Sequence, residues 1–294
     1  MFTRATKLPP GRILAEVLRW LPLAALLAWV YGPMFSWLLV QWQEQPDCGH
    51  CVLAPIFSGF LLWHRRDMLR TMRVRGSWWG LAFLGLAALM EWASAYSLRE
   101  SPHRFSLLPC IAGIVLFMWG FQTLRWAGPS IGFLLFMYPL TPLFLNKVSL
   151  PLQRLATKVS AFLLQIMGIP AFGQGTVLQL RRSVFGIEAA CCGLRAMMIC
   201  LAICTGAVLV MRRSMLDKVL IVVSSVPIAM VVNVVRITAI GIAGELIGDE
   251  FAYWFHHRSG ALVVPIVLIL LWVETGVMSI IRRIVQRRRE LDQT

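Results

Sequence analysis

Three groups in this chain have the chemistry of acyl transfer. The stretch Glu188-Ala189-Ala190-Cys191-Cys192-Gly193-Leu194-Arg195 sets thiols at the start of an apolar run, with a guanidinium four residues after the first of them. That spacing puts Cys191 and Arg195 on one face of a helix. Asn233-Val234-Val235-Arg236 places a second guanidinium inside a hydrophobic run, and His256-His257-Arg258-Ser259-Gly260 precedes the last one. A thiolate is the reactive form of cysteine, and a helix amino terminus favours the anion. Histidine can hold or deliver the proton, and a cation can steady an oxyanion.

The elements that must position these groups are membrane helices. Hydrophobic residues make up 58% of the 294-residue chain and charged ones 14%, with twelve tryptophans and a mean hydropathy of +0.72. This is too little polar surface to cover a soluble globule of that length. Apolar runs occur at 20–41, 52–63, 78–98, 107–126, 129–146, 194–211, 219–244 and 261–281, and about 20 residues are needed to span a bilayer. The expected fold is therefore all-α, a polytopic membrane bundle of about eight helices, with 52–63 short for a span. No repeat or separate soluble domain is visible. The chain reads as one membrane domain over 1–294, with a core at 19–281 and basic tails at 1–18 and 282–294.

The positive-inside rule orients it. An inside amino terminus leaves Arg4, Lys7, Arg12, Arg19, the cluster Arg65 to Arg75, Arg125, Arg212, Arg213, Lys218 and the tail arginines all cytoplasmic. The first apolar run reads as a retained helix, being too long for a signal peptide and without a small-residue cleavage site. The net charge of +14 then marks topology and attraction to anionic membrane lipid; no nucleic-acid motif accompanies it. Segments 42–51, 99–106, 147–193 and 245–260 fall on the outer face, and they bring Cys191, Arg236 and His256 to the same side. Within the longest, 149–167 carries apolar residues at helical spacing, with Gln153, Arg154, Thr157 and Lys158 opposite, which suits a helix lying on the membrane surface. Gly168 and Pro170 end it, and Gly173-Gln174-Gly175 with alternating Val177, Gln179 and Arg181 suggests a short hairpin.

The run Ala190 to Arg195, then Asn233-Val234-Val235-Arg236-Ile237-Thr238, then His256 to Gly260 resembles the signature of the exosortase/archaeosortase family in order and spacing. Leu150-Pro151-Leu152-Gln153, Gly168-Ile169-Pro170 and His50-Cys51-Val52-Leu53-Ala54-Pro55 extend the resemblance to about 47–275. It implies a plasma-membrane cysteine protease or transpeptidase that needs no cofactor. Its substrates would be secreted proteins ending in a short motif such as Pro-Glu-Pro, a transmembrane helix and a basic tail. Carried over, the nucleophile falls on Cys191, the arginine on Arg236 and the histidine on His256, with Cys192, Arg195, Asn233, His257 and His50 in supporting positions. Cys192 stands where the family commonly has serine, and His257 where it often has aspartate.

Two other classes compete. Cys48-Gly49-His50-Cys51 reads as a redox CxxC, which with Cys191/Cys192 as a second pair would make a membrane thiol-disulfide oxidoreductase. Arg236 and Glu91 as buried charges would suit a non-enzymatic transporter. The absence of HExxH, GxSxG, P-loop and paired-carboxylate motifs argues against metallo, serine and phosphoryl-transfer enzymes.

Overall fold

A computed structural model describes residues 10–44, 51–72, 75–97, 100–138, 142–181, 184–186 and 194–291. In chain order these form α1 (Pro10–Glu44), α2 (Leu53–His64), α3 (Trp79–Ser97), α4 (Glu100–Trp119), α5 (Phe121–Phe133), α6 (Pro142–Ile166), β1 (Ala171–Gln174), β2 (Val177–Leu180), β3 (Val184–Gly186), α7 (Leu194–Val210), α8 (Met215–Leu246), α9 (Asp249–Arg258) and α10 (Val263–Leu291). Four stretches among the described residues are long and apolar enough to cross a bilayer: Leu21–Glu44, Pro102–Trp119, Met215–Leu246 and Val263–Arg288. Leu53–His64 and Ala196–Val210 are shorter apolar helices. Both ends of the core continue as helix, so residues 10–18 and 282–291 prolong α1 and α10 as basic extensions.

Two of the apolar runs are cut differently from the eight-helix expectation. The run at 107–126 is divided at Gly120, whose φ of +84° suits glycine and few other residues. A Cβ there would lie 1.8 Å from the carbonyl oxygen of Arg75. The run at 129–146 is likewise divided, because α5 passes into a 3₁₀ turn at Leu134–Met137 and a new helix begins at Pro142. Hydropathy registers apolar length, and these breaks are written in backbone angles.

The chain packs as two compact units, Met1–Gly49 with Arg73–Leu124, and His50–Met72 with Arg125–Thr294. In the first, α3 and α4 lie against one another so closely that a Cβ on Gly80 would fall 2.4 Å from the backbone nitrogen of Phe117. Small residues allow this approach where lipid gives helices no hydrophobic reason to associate. A polar cluster adds direction to the contact. The Glu91 carboxylate accepts from Ser106 Oγ at 2.5 Å and pairs with His103 Nδ1 at 2.7 Å. Tyr31 of α1 reaches Ser106 at 3.1 Å and stacks on the His103 ring. Ser106 and Tyr31 are fully buried, so this network stitches three helices together. The expected transporter charge Glu91 is thus held in a set of side-chain bonds.

In the second unit, α7, α8 and α10 share a core that includes Ala196, Cys200, Cys204, Ile221, Val232, Val263 and Val267. Cys200 and Cys204 are wholly buried there, as expected of small hydrophobic thiols. At the end of this bundle holding Ser214, that residue caps α8 by accepting from the Asp217 N–H. Arg282 of α10 ion-pairs with Asp217 and bonds Ser214, while Arg213 donates to the Thr275 carbonyl at 3.3 Å and Ser279 Oγ at 3.0 Å. Three helices are clasped by two arginines of the basic sequence clusters. A third, Arg65, donates to the Trp126 carbonyl at 3.1 Å; burial, then the neighbouring Arg125 charge, pull its pKa below the usual guanidinium range.

The helix expected at 149–167 is present within α6, and its polar stripe is divided: Arg154 and Lys158 are exposed while Gln153 and Thr157 turn inward. Gln153, Thr157 and Ser160 are buried, whereas Leu155, Val159, Phe162 and Ile166 are exposed. Ser160 Oγ donates to the Val234 carbonyl of α8 at 3.3 Å, and Thr157 Oγ1 to its own turn at Gln153. In lipid the apolar side is the one a helix can leave uncovered, so small and polar residues take the interface. The hairpin is also present, closed by a two-residue turn between Gln174 and Val177, and β3 extends it to an antiparallel sheet in the order β1-β2-β3.

Gly120→Ala should destabilise the first unit by more than about 2 kcal/mol, from backbone strain alone. Glu91→Ala, which removes the carboxylate partner of Ser106 and His103, should cost about 1–2 kcal/mol. Thermal denaturation in detergent of the two variants checks both values.

Candidate active site

The site assembles at the end of the second unit where α7 begins, α9 ends and α10 begins. Ala196 near the start of α7, Val232 of α8 and Val263 at the start of α10 belong to one core cluster, which fixes these three levels together. Gly248, with a φ of +125°, turns the chain out of α8, and the short α9 then packs back toward it through Ala252, Ile240 and Ala243. A 3₁₀ turn, Ser259–Leu262, joins α9 to α10.

Arg236 projects from α8 toward this turn. Its Nε donates to Ser259 Oγ at 2.8 Å, and Ser259 is 3% exposed. Arg236 as a whole is partly buried. An arginine near the centre of a membrane helix costs about 2.5–3.5 kcal/mol on insertion scales unless it is paired or faces a wet cavity. The bond to Ser259 answers part of that cost and fixes the plane of the guanidinium. It also ties α8 to a position three residues, one helical turn, beyond His256. Ser259 had no assigned role in the sequence; its signal was its place in His256-His257-Arg258-Ser259-Gly260, one turn after the histidine.

Asn233 lies one turn before Arg236 on α8 and is 2% exposed. Neither its Oδ1 nor its Nδ2 bonds to any described group, Arg236 included. A buried amide without partners is expensive. Thr238 Oγ1, two residues beyond Arg236, is in the same condition among the described residues. Arg258 lies over the Trp254 ring, 5.6 Å from its centroid.

Cys191 and Cys192 lie outside the described residues, as do Glu188, Cys48 and His50. Arg195, His256 and His257 sit on the described helices α7 and α9, but their side chains lie outside the description. The structure therefore brings together Arg236, Ser259 and the backbone of the turn after His256. Cys51, one half of the sequence CxxC, is a thiol 1% exposed, a poor setting for disulfide exchange, which needs access. No group of three or more metal-ligating side chains occurs among the described residues. A depression of about 460 Å³ lined by Arg283, Ile284, Gln286 and Arg287 lies at the opposite end of α10 from this site.

The family model for the transmembrane exosortases matches residues 42–273, which takes in α2 through the first part of α10 and every motif residue named above. The chain belongs to the transmembrane exosortase family. Exosortases are membrane proteins that process sorting signals, and this one carries the family's apolar helices. Comparison with curated proteins and with solved structures returned no match.

A double-mutant cycle on Arg236→Ala and Ser259→Ala, read as thermal stability in detergent, should give a coupling of about 1.5–3 kcal/mol, the range for a hydrogen bond to a charged group. Additive effects would show that the bond contributes nothing to stability.

Proposed function

We propose that this exosortase is a membrane cysteine peptidase or transpeptidase that cleaves carboxy-terminal sorting signals through a thioester. The substrates are secreted proteins ending in a short proline-containing motif, an apolar helix and a basic tail. The site faces the outside of the plasma membrane. The observation that carries the reading is the Arg236–Ser259 bond, which holds a guanidinium inside an apolar helix against the turn that follows His256.

In this reading the Cys191 thiolate attacks the scissile carbonyl, and negative charge moves to the carbonyl oxygen. Arg236, its plane fixed through Nε, has its terminal nitrogens directed at that oxygen or at a carboxylate of the recognition motif. His256 protonates the departing amine, the C–N bond breaks, and the acyl group is left on sulfur. Water or an acceptor amine then attacks the thioester and returns the thiolate. Asn233 supplies a buried donor and acceptor that suit a peptide group of the substrate.

The test is processing of a reporter bearing a Pro-Glu-Pro motif, an apolar helix and an arginine tail, in cells expressing single variants. Cys191→Ala should abolish the size shift while Cys192→Ala retains it. Arg236→Ala should slow turnover by roughly 10²–10³-fold, the range for loss of one oxyanion donor. Full processing by Cys191→Ala would overturn the assignment, and loss with Cys48→Ala would move the case to disulfide exchange.

A further inference from the structure

We infer that the outer edge of β3 binds the substrate's recognition segment as an added fourth strand; this rests on the peptidase reading above. Three features lead there. First, the sheet order β1-β2-β3 leaves two edges, and they differ. The β1 edge is met by α6, whose Gln165 Nε2 donates to the outward carbonyl of Ala171 at 2.7 Å. No described residue pairs with the far side of β3.

Second, the pleat fixes which groups that edge offers. The two-residue turn closes on Gln174↔Val177, so Val177 bonds toward β1 and Leu178 toward β3, since successive residues of a strand point their N–H and C=O groups in opposite directions. Leu178 is opposite Phe185, which therefore faces β2. The N–H and C=O of Val184 and Gly186 face outward. An edge of this kind is satisfied by one type of occupant, another extended backbone. The Val184 side chain, 67% exposed, closes nothing over it.

Third, continuity of the chain ties the edge to the chemistry. Gly186 is five residues before Cys191, so a peptide aligned on β3 lies within a few residues of the proposed nucleophile. The occupant is an extended peptide immediately preceding the substrate's membrane helix. A motif with proline at alternate positions fits such an edge: both prolines turn their missing donors away from the enzyme, and the residue between them supplies N–H and C=O to it.

The experiment uses full-length protein in detergent and the Pro-Glu-Pro reporter peptide. Val184→Pro removes the outward N–H and leaves the Phe185 ladder to β2 untouched; Val184→Thr is its control. Val184→Pro should raise KM about tenfold or more with little change in kcat, while Val184→Thr behaves as the parent. As a second measurement that needs no folded variant, single backbone N-methylation along the reporter should weaken processing with a period of two. Alternating sensitivity supports strand addition, and uniform or absent sensitivity overturns it. Unchanged KM in a folded Val184→Pro protein also overturns it, while the Cys191→Ala result independently decides the peptidase reading. A change in oligomeric state with processing intact would assign the edge to a second copy of this chain, and overturn the proposal as well.

Discussion

A guanidinium inside an apolar helix is the constraint around which the second unit is arranged. Arg236 sits in α8, a 32-residue helix with a span-like hydropathy of 2.2, where an unpaired charge would be costly. Among the groups that meet it is the hydroxyl of Ser259, on a turn brought back to α8 by the reversal at Gly248 and the ten residues of α9. This bond ties the charged residue of α8 to the turn that follows His256.

The same logic governs the other polar groups of this apolar chain. Lipid removes the hydrophobic drive for helices to associate, so association falls to close packing and to bonds between polar side chains. Glu91, His103, Ser106 and Tyr31 fix the first unit in this way. Thr157 and Ser160 fix α6 toward α8 in the second, and Asp217 with Arg282 and Arg213 fixes the helix ends. These sets lie at helix crossings. Asn233 departs from this, with its whole amide buried and unbonded among the described residues, one turn from Arg236. A group that carries a cost and serves no packing bond is the kind expected where a ligand completes the structure.

Much of this was legible in the residues, for a physical reason in each case. Long apolar runs give helices because the backbone must satisfy itself in lipid, and α1, α8 and α10 fall where hydropathy puts them. The hairpin at 171–180 follows from its turn glycines and alternation. The breaks at Gly120 and Pro142 were not legible, since an apolar residue sequence is indifferent to one positive φ. The polar stripe of α6 was legible only in part: Arg154 and Lys158 are exposed, whereas the uncharged Gln153 and Thr157 turn inward, where small and polar groups serve helix contacts. Ser259 was visible only as part of a motif, because a serine beside histidines carries no signal until its hydroxyl is seen on Arg236. The motif itself, Cys191 through His256, was legible as a family signature, and the match over 42–273 bears the family out.

The small sheet carries a further consequence for where the chemistry occurs. Unpaired strand edges are not tolerated in hydrocarbon, where nothing can bond to their N–H and C=O groups. A sheet whose β3 edge is paired by no described residue fits the aqueous or headgroup layer better than hydrocarbon. Eight residues after Gly186 the chain enters α7, whose Ala196–Val210 stretch is apolar. The seven residues that separate β3 from α7 include Cys191, the nucleophile of the proposed mechanism. On that proposal a thiolate near such a boundary would be supportable on its wet side, and water for the second half of the reaction would be at hand.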